Sequence, residues 1–286
     1  MRNTFSNYFS LVKFSHTVFA LPFALIGFFL ALRFNAVLFQ WQLLVKVLLC
    51  MILARTAAMA FNRYADREID AKNERTAIRE IPSGKINANA ALALTVFSSL
   101  LFIVTCYFIN PICFYLSPVA LLVTLGYSFT KRFTSLSHFI LGLGLSLAPT
   151  GAYLAVTGKF HLLPIPFSLA VLTWVSGFDI IYALQDVDFD RKQKLFSIPA
   201  WLGEKNALAF SSVLHFFTAG FLIWAGVYAN FGMFYWIGAA IFLLLLVYQH
   251  SIVKPDDLSR VNISFFTTNG IASVVFSVFV IWDLLN

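Results

Sequence analysis

The chain has 286 residues, 60% hydrophobic and 12% charged, with 33 Phe and a formal net charge of +7. Ordinary soluble domains are about 45–50% apolar and about 25% charged. A soluble enzyme, a disordered protein and a coiled coil are therefore excluded, and the composition is that of a chain facing lipid.

Crossing the hydrocarbon core takes about 20 mostly apolar residues per helix. Nine stretches qualify: 15–33, 42–61, 89–109, 112–129, 136–156, 164–184, 207–229, 231–250 and 263–284. They are too long for strands, show no apolar/polar alternation, and lipid admits only helices or closed barrels. The expected fold is all-α, a polytopic integral membrane protein with nine transmembrane helices in a single domain over residues 1–286. The first run lacks a small-residue cleavage site and reads as a retained helix. Residues 1–13 read as a short amphipathic helix along the interface. Cys50, Cys106 and Cys113 are scattered packing residues, and no Cys/His cluster has the spacing of a zinc site. Most of the Phe excess is expected to face lipid.

With nine spans, the N-terminus and the loops after spans 2, 4, 6 and 8 share one side. That side carries nearly all the Lys and Arg; the other has only Arg33, Lys46 and Lys159. The bias places the N-terminus and these loops in the cytoplasm and the C-terminus outside, in the inner (cytoplasmic) membrane of the cell. The net charge is thereby explained by cytoplasmic loops, with no nucleic acid partner.

Two cytoplasmic connections are long, 62–88 and 185–206, and they hold most of the acidic residues. The first carries Asn62, Asp66 and Asp70 at i, i+4 and i+8, one face of a helix, with Arg55 on nearly the same stripe. The second carries Asp186 and Asp190, with Asp188 between them, on a stripe running back to Tyr182 and to Asp179 inside an apolar span. Asp66 and Asp70 match Asp186 and Asp190 at an offset of 120 residues (186 − 66 and 190 − 70), and an Ile-Pro trails each pair. This reads as an internal repeat, two four-helix units each giving a carboxylate pair to a shared cavity. Glu68, Glu74, Glu80 and Glu204 read as solvated loop charges.

Four converging carboxylates need counter-charge. Oxygen-only ligands indicate a hard cation, and Mg²⁺ is typically held by one or two carboxylates plus substrate phosphates. Two Mg²⁺ bridged by a diphosphate suit two such pairs, with Arg55, Arg75, Arg79, Lys131 and Arg132 among the cations available for the remaining phosphate oxygens. Asp179 is a functional candidate because ionisable groups inside spans are rarely idle.

The run Asn62-Arg-Tyr-Ala-Asp66-Arg-Glu-Ile-Asp70, followed by Arg75-Thr76 and Ile81-Pro82-Ser83-Gly84, resembles the first signature of the UbiA superfamily of intramembrane prenyltransferases. Asp179-Ile-Ile-Tyr182-Ala-Leu-Gln-Asp186-Val-Asp188-Phe-Asp190 resembles the second. Tyr127 to Thr134 is similar to the cationic loop between helices four and five, and Lys13 to Phe23, with His16, resembles the start of helix one. The resemblance implies nine helices around a central cavity open to the membrane and Mg²⁺-dependent transfer of a polyprenyl group from a prenyl diphosphate to a small aromatic acceptor. The 4-hydroxybenzoate polyprenyltransferase branch of quinone (ubiquinone) biosynthesis is the nearest. Arg79-Glu80 departs from that branch's Arg-Pro and resembles a sub-branch that prenylates a menaquinone precursor. On this reading Asp66, Asp70, Asp186, Asp190 and Asn62 hold metal, and Arg55 or Arg79 holds an acceptor carboxylate. Tyr182 or Tyr127 faces the allylic cation, and His16 touches the acceptor. The rival reading is a cation-coupled transporter, whose charges should sit near the bilayer midplane rather than at a rim.

Overall fold

A computed structural model describes residues 7–8, 10–12 and 19–286. Nine long helices account for most of it: α1 (Leu21–Asn35), α2 (Trp41–Ala65), α3 (Ala88–Tyr107), α4 (Pro111–Thr130), α5 (Ser137–Thr157), α6 (Ile165–Ala183), α7 (Glu204–Tyr228), α8 (Met233–Ile252) and α9 (Asn269–Leu285). There is no strand among the described residues, only an isolated bridge between Lys254 and Asp257. Eight helices are long and apolar enough to cross a membrane. The shorter α1, 15 residues, is not one of these eight; part of the expected 15–33 stretch, His16 included, lies outside the described residues, as does most of the expected 1–13 helix.

Local chemistry sets the helix ends. Asn87 and Asn110 cap α3 and α4 by accepting from the backbone N–H of Asn89 and Cys113. Pro22 stands in the first turn of α1, where proline fits the helix start instead of kinking it. Pro118 and Pro149 lie inside α4 and α5.

The helices pack as two groups. In the first half α2 packs on α3 and α4, and α4 on α5. In the second, α6 packs on α7, and α8 on α9. Helix α5 meets α6 across the join, and α1 lies against α5 and α9. The two interiors differ. Between α2, α3, α4 and α5 lies a cavity of about 410 Å³ walled by Val47, Met51, Phe102, Leu121 and Ala148, with Arg55 and Tyr127 among its lining residues. The second half is filled. Trp174 sits edge-on to Phe178 and Phe242 at centroid distances of 5.1 and 5.3 Å, and Phe23, Phe167, Tyr235 and Phe276 complete a buried aromatic core. The expectation that Phe faces lipid is thus corrected for part of the set: Phe23, Phe28, Phe167, Phe178, Phe242 and Phe276 are fully buried. Edge-to-face ring packing lets aromatics fill a helix interior without polar atoms.

Candidate active site

The first carboxylate pair forms where α2 stops. Asp66 leaves helical geometry (φ −93°, ψ 4°), and a one-turn helix, Arg67–Asp70, resumes behind it. The backbone N–H of Asp70 still donates to the Asp66 carbonyl at 2.7 Å, so the two side chains stand on successive turns across the break. Asn62 Nδ2 donates to Asp66 Oδ2 at 2.9 Å. Arg79 Nη1 donates to Asp70 Oδ1 at 2.7 Å, and Arg132 Nη2 lies 3.4 Å from Asp66 Oδ1.

The second pair forms just beyond the C-terminal end of α6. A 3₁₀ turn, Leu184–Asp186, tightens the chain before a short helix, Val187–Lys192. Arg75 grips Asp186 with two nitrogens, Nε to Oδ1 at 3.0 Å and Nη2 to Oδ2. Its Nη1 donates to the Tyr182 hydroxyl at 3.0 Å. Asn73 Nδ2 adds a bond to Asp186 Oδ1 at 3.0 Å, and Lys131 Nζ lies 3.6 Å from Asp190 Oδ2. Tyr182 is held from behind by Phe265, ring centroid at 4.2 Å. Phe265 comes from the π-helical segment Ile263–Thr268, whose Ser264 and Phe265 carbonyls are taken up by Asn269 Nδ2.

Arg75 and Asn73 belong to the connection that follows the first pair, yet they bind the second. The two acidic groups are therefore brought together by the 71–87 segment, which turns back through Ile81-Pro82-Ser83-Gly84, where Gly84 adopts φ +74°. A side chain is strained in that conformation and glycine is not.

Each of the four aspartates faces its own cation: Asp66 with Arg132, Asp70 with Arg79, Asp186 with Arg75, Asp190 with Lys131. The pairing is incomplete in an informative way. Asp70 Oδ2 and Asp190 Oδ2 are buried and receive no hydrogen bond. Burial, then the neighbouring Asp70, pushes the Asp66 carboxyl up from its ordinary range against the pull of Arg132. Burial alone would lower the Lys131 ammonium, but Asp190, Asp186, Asp179 and Asp66 outweigh it and hold it up. Unbonded carboxylate oxygens beside a carboxyl short of positive charge fit a divalent hard cation. Among the described residues no three acidic, His or Cys side chains form a group able to hold a metal ion. A bound ion would need phosphate or water oxygens to complete its shell, as Mg²⁺ typically does.

Below the rim, Arg55 enters the apolar cavity. It makes no ion pair or hydrogen bond among the described residues, and its buried Nε has no partner. Tyr127 lies within electrostatic reach of Arg55, Asp66 and Asp179 and so joins rim to cavity. Asp179 is bonded to His138 Nδ1 at 2.7 Å. Asp188 is exposed, away from these contacts.

Two side chains that sequence reasoning passed over belong here. Glu80, expected to be a solvated loop charge, is buried: Arg63 Nε lies 3.9 Å from it and the Ser10 hydroxyl donates to it. The correction has a physical cause, because Arg63 points into the protein and needs an anion. His138 sits in the first turn of α5 and is fully buried. An ionisable residue opening an apolar span was the signal available for it.

A bundle of membrane-crossing helices, with a greasy chamber beneath a rim of paired carboxylates and cations, defines an intramembrane protein suited to a ligand with a polyanionic head and an apolar tail. The model of the UbiA prenyltransferase family matches residues 20–271, and the chain belongs to that family. The 4-hydroxybenzoate octaprenyltransferase of Burkholderia cenocepacia (strain HI2424) is 31% identical over 238 residues, 83% of each chain. The apo structure of a UbiA homologue from Aeropyrum pernix K1 superposes with a TM-score of 0.85 at 32% identity, covering 94% of this chain and 98% of that one. A UbiA homologue from Archaeoglobus fulgidus, bound to DMAPP and Mg²⁺, shares the fold with a TM-score of 0.75 at 21% identity, covering 98% of this chain and 99% of that one.

Proposed function

We propose that this prenyltransferase moves a polyprenyl group from a prenyl diphosphate onto a small aromatic acid of the 4-hydroxybenzoate type, in quinone biosynthesis. The observation that carries the reading is the unpaired Arg55, a cation facing an otherwise apolar cavity next to a rim of four acid–cation pairs. An ionised side chain at such a place is costly unless a ligand anion meets it. An aromatic carboxylate supplies that anion and fills the apolar space around it.

Asp66, Asp70, Asp186 and Asp190, with Asn62 steering Asp66, would hold two Mg²⁺ bridged by the diphosphate. Those ions would neutralise charge on the departing diphosphate. Arg75, Arg79, Lys131 and Arg132 exchange their aspartate partners for phosphate oxygens when the head arrives, which keeps every buried charge paired. The tail lies along Val47, Met51, Phe102 and Leu121. Breaking the C–O bond leaves an allylic cation, which Tyr127 and Tyr182 face with their rings, while the apolar wall excludes the water that would quench it. Arg55 holds the acceptor so that the carbon beside its hydroxyl meets that cation. The charge bias of the loops supports a rim on the cytoplasmic side of the inner membrane.

The test is incubation of purified protein with Mg²⁺, geranyl diphosphate and a panel of aromatic acids, followed by mass spectrometry. The panel includes 4-hydroxybenzoate, a bicyclic hydroxynaphthoic acid of the menaquinone-precursor kind and benzoate. Ring-prenylated 4-hydroxybenzoate is expected. Prenylation of the bicyclic acid alone would move the reading to the menaquinone branch, and no prenylated acid at all would refute it.

A further inference from the structure

Prenylation of a phenol releases a proton, and the rim cations cannot take it. We infer that Asp179, oriented by His138, accepts the hydroxyl proton of the aromatic acceptor. The inference rests on the acceptor reading above and adds the group that completes the reaction.

The geometry begins with the α5–α6 contact. A Cβ on Gly142 would stand 2.5 Å from the Leu172 carbonyl oxygen and from Ser176 Oγ, so only glycine allows the helices this close. One turn earlier on α5 is His138, and one turn later on α6 is Asp179. The close approach sets imidazole against carboxylate, Nδ1 to Oδ2 at 2.7 Å. The Ser176 hydroxyl donates to the His138 carbonyl at 3.2 Å and ties the same turn down. The backbone N–H of Ile198 points at His138 Nε2 at 3.4 Å, so Nε2 accepts and the ring proton sits on Nδ1, donating to Asp179.

One oxygen of Asp179 is thus occupied. The other, Oδ1, receives no hydrogen bond among the described residues, and the side chain keeps 16% of its surface open. Asp179 stands three and seven residues before Tyr182 and Asp186, on the stripe that faces the rim, and it acts electrostatically on Tyr127 and Lys131. It is a carboxylate with a fixed orientation and a free lone pair, within α6 and so before Asp186 and Asp190 in the chain, and within electrostatic reach of Tyr127, which lines the cavity where Arg55 would hold the acceptor.

The prenyl C1–O pair leaves with the diphosphate. The ring carbon beside the hydroxyl forms the bond to C1 while the O–H proton passes to Asp179 Oδ1, giving a neutral dienone. The dienone exchanges its ring C–H proton for one on oxygen, and Asp179 returns its own to water, so one proton leaves per diphosphate. His138 is a positioning residue that holds the carboxylate through Nδ1–H.

The experiment compares the wild type with Asp179→Asn, His138→Leu and His138→Gln, each checked for a monodisperse, thermally stable preparation. Transfer from geranyl diphosphate to 4-hydroxybenzoate is followed with Mg²⁺ from pH 6.5 to 9.5. Asp179→Asn should lose about 100-fold in kcat at neutral pH, at the low end for a general base, with KM for geranyl diphosphate unchanged. The deficit should shrink as the acceptor hydroxyl ionises by itself, which for an unperturbed phenol occurs at about pH 10. Taking the ratio of variant to wild type at each pH cancels the titration of the groups around Asp179: Tyr127 and Lys131 from the α4 end, His138 from α5, Tyr182 and Asp186 on its own helix, and His215 of α7 at the opposite face. His138→Leu should lose about 10-fold in kcat with the same pH-dependent recovery, and His138→Gln, which keeps a donor, should regain most of it. If Asp179→Asn does not fold, the His138 pair decides by the same ratio. Wild-type-like kcat in Asp179→Asn, or a deficit equal at every pH in the stable variants, overturns the inference alone. No prenylated acid from the wild type overturns the acceptor reading and the inference with it.

Discussion

The two halves of the molecule fill their interiors in opposite ways. In the first, α2 to α5 stand apart around a cavity of about 410 Å³ with Arg55 among its lining residues. In the second, Trp174, Phe178, Phe242 and Phe276 leave no such space, and α6 is the most buried of the candidate spans. The difference teaches that a spacing of aspartates repeated in the sequence does not imply a repeated interior. One half keeps the void that a long apolar substrate needs. The other supplies a stiff wall on which Asp179, Tyr182, Asp186 and Asp190 are held in place. Chemistry of this kind depends on groups that do not move when charge develops.

The contrast can be broken experimentally. The largest effect is expected at the rim, which both halves share. Asp66→Ala or Asp186→Ala should lower transfer by about 1,000-fold, of the order seen when a key electrostatic group is removed, while size-exclusion of the solubilised protein stays unchanged. Turnover near the wild-type rate in either variant would remove these residues from the metal assignment. EDTA should abolish transfer, with recovery on adding Mg²⁺ or Mn²⁺; activity that survives chelation would sink the metal proposal.

The filled half should respond in stability. Trp174→Ala leaves a void and an unpartnered Asn269 Oδ1, costing about 3–5 kcal/mol, to be read as earlier thermal unfolding with little change in rate per folded molecule. The open half should respond in binding. Arg55→Leu should raise KM for the aromatic acid about 10- to 100-fold, the value of a charge-assisted bond, and leave the unfolding temperature near its original value. The smallest effect is expected from Gly151→Val: a Cβ there would meet nothing within 4 Å beyond its own stretch of helix, so the side chain should fit while narrowing the cavity. A few-fold preference for shorter prenyl donors, measured in competition, would identify this wall with the tail.

Much of the site is legible in the chain itself. Asp66, Asp70, Asp186 and Asp190 stand out because one spacing occurs twice at matched positions. The cations are visible as residue types, but their partners are not. That Arg75 reaches Asp186 and not the nearer Asp70 depends on how residues 71–87 cross between the halves, which local periodicity does not encode. Glu80 misleads because Arg79 is next to it in sequence, whereas its partner is Arg63 on the buried side of α2. His138 escapes notice because a lone histidine beside an apolar run has the ordinary look of packing. The Phe count gives composition but not direction, and only three-dimensional packing separates Phe23 from Phe216, one fully buried and the other 76% exposed.

If a diphosphate binds at the rim as proposed, the one-to-one matching of aspartate with guanidinium or ammonium makes its uptake an exchange. A newcomer must replace four internal partnerships at once, so a singly charged head group is a poor competitor however well its chain fits the wall. On the proposed reading, a departing diphosphate would leave Arg75, Arg79, Lys131 and Arg132 free to return to their aspartate partners. The same latches that screen admission thereby assist departure.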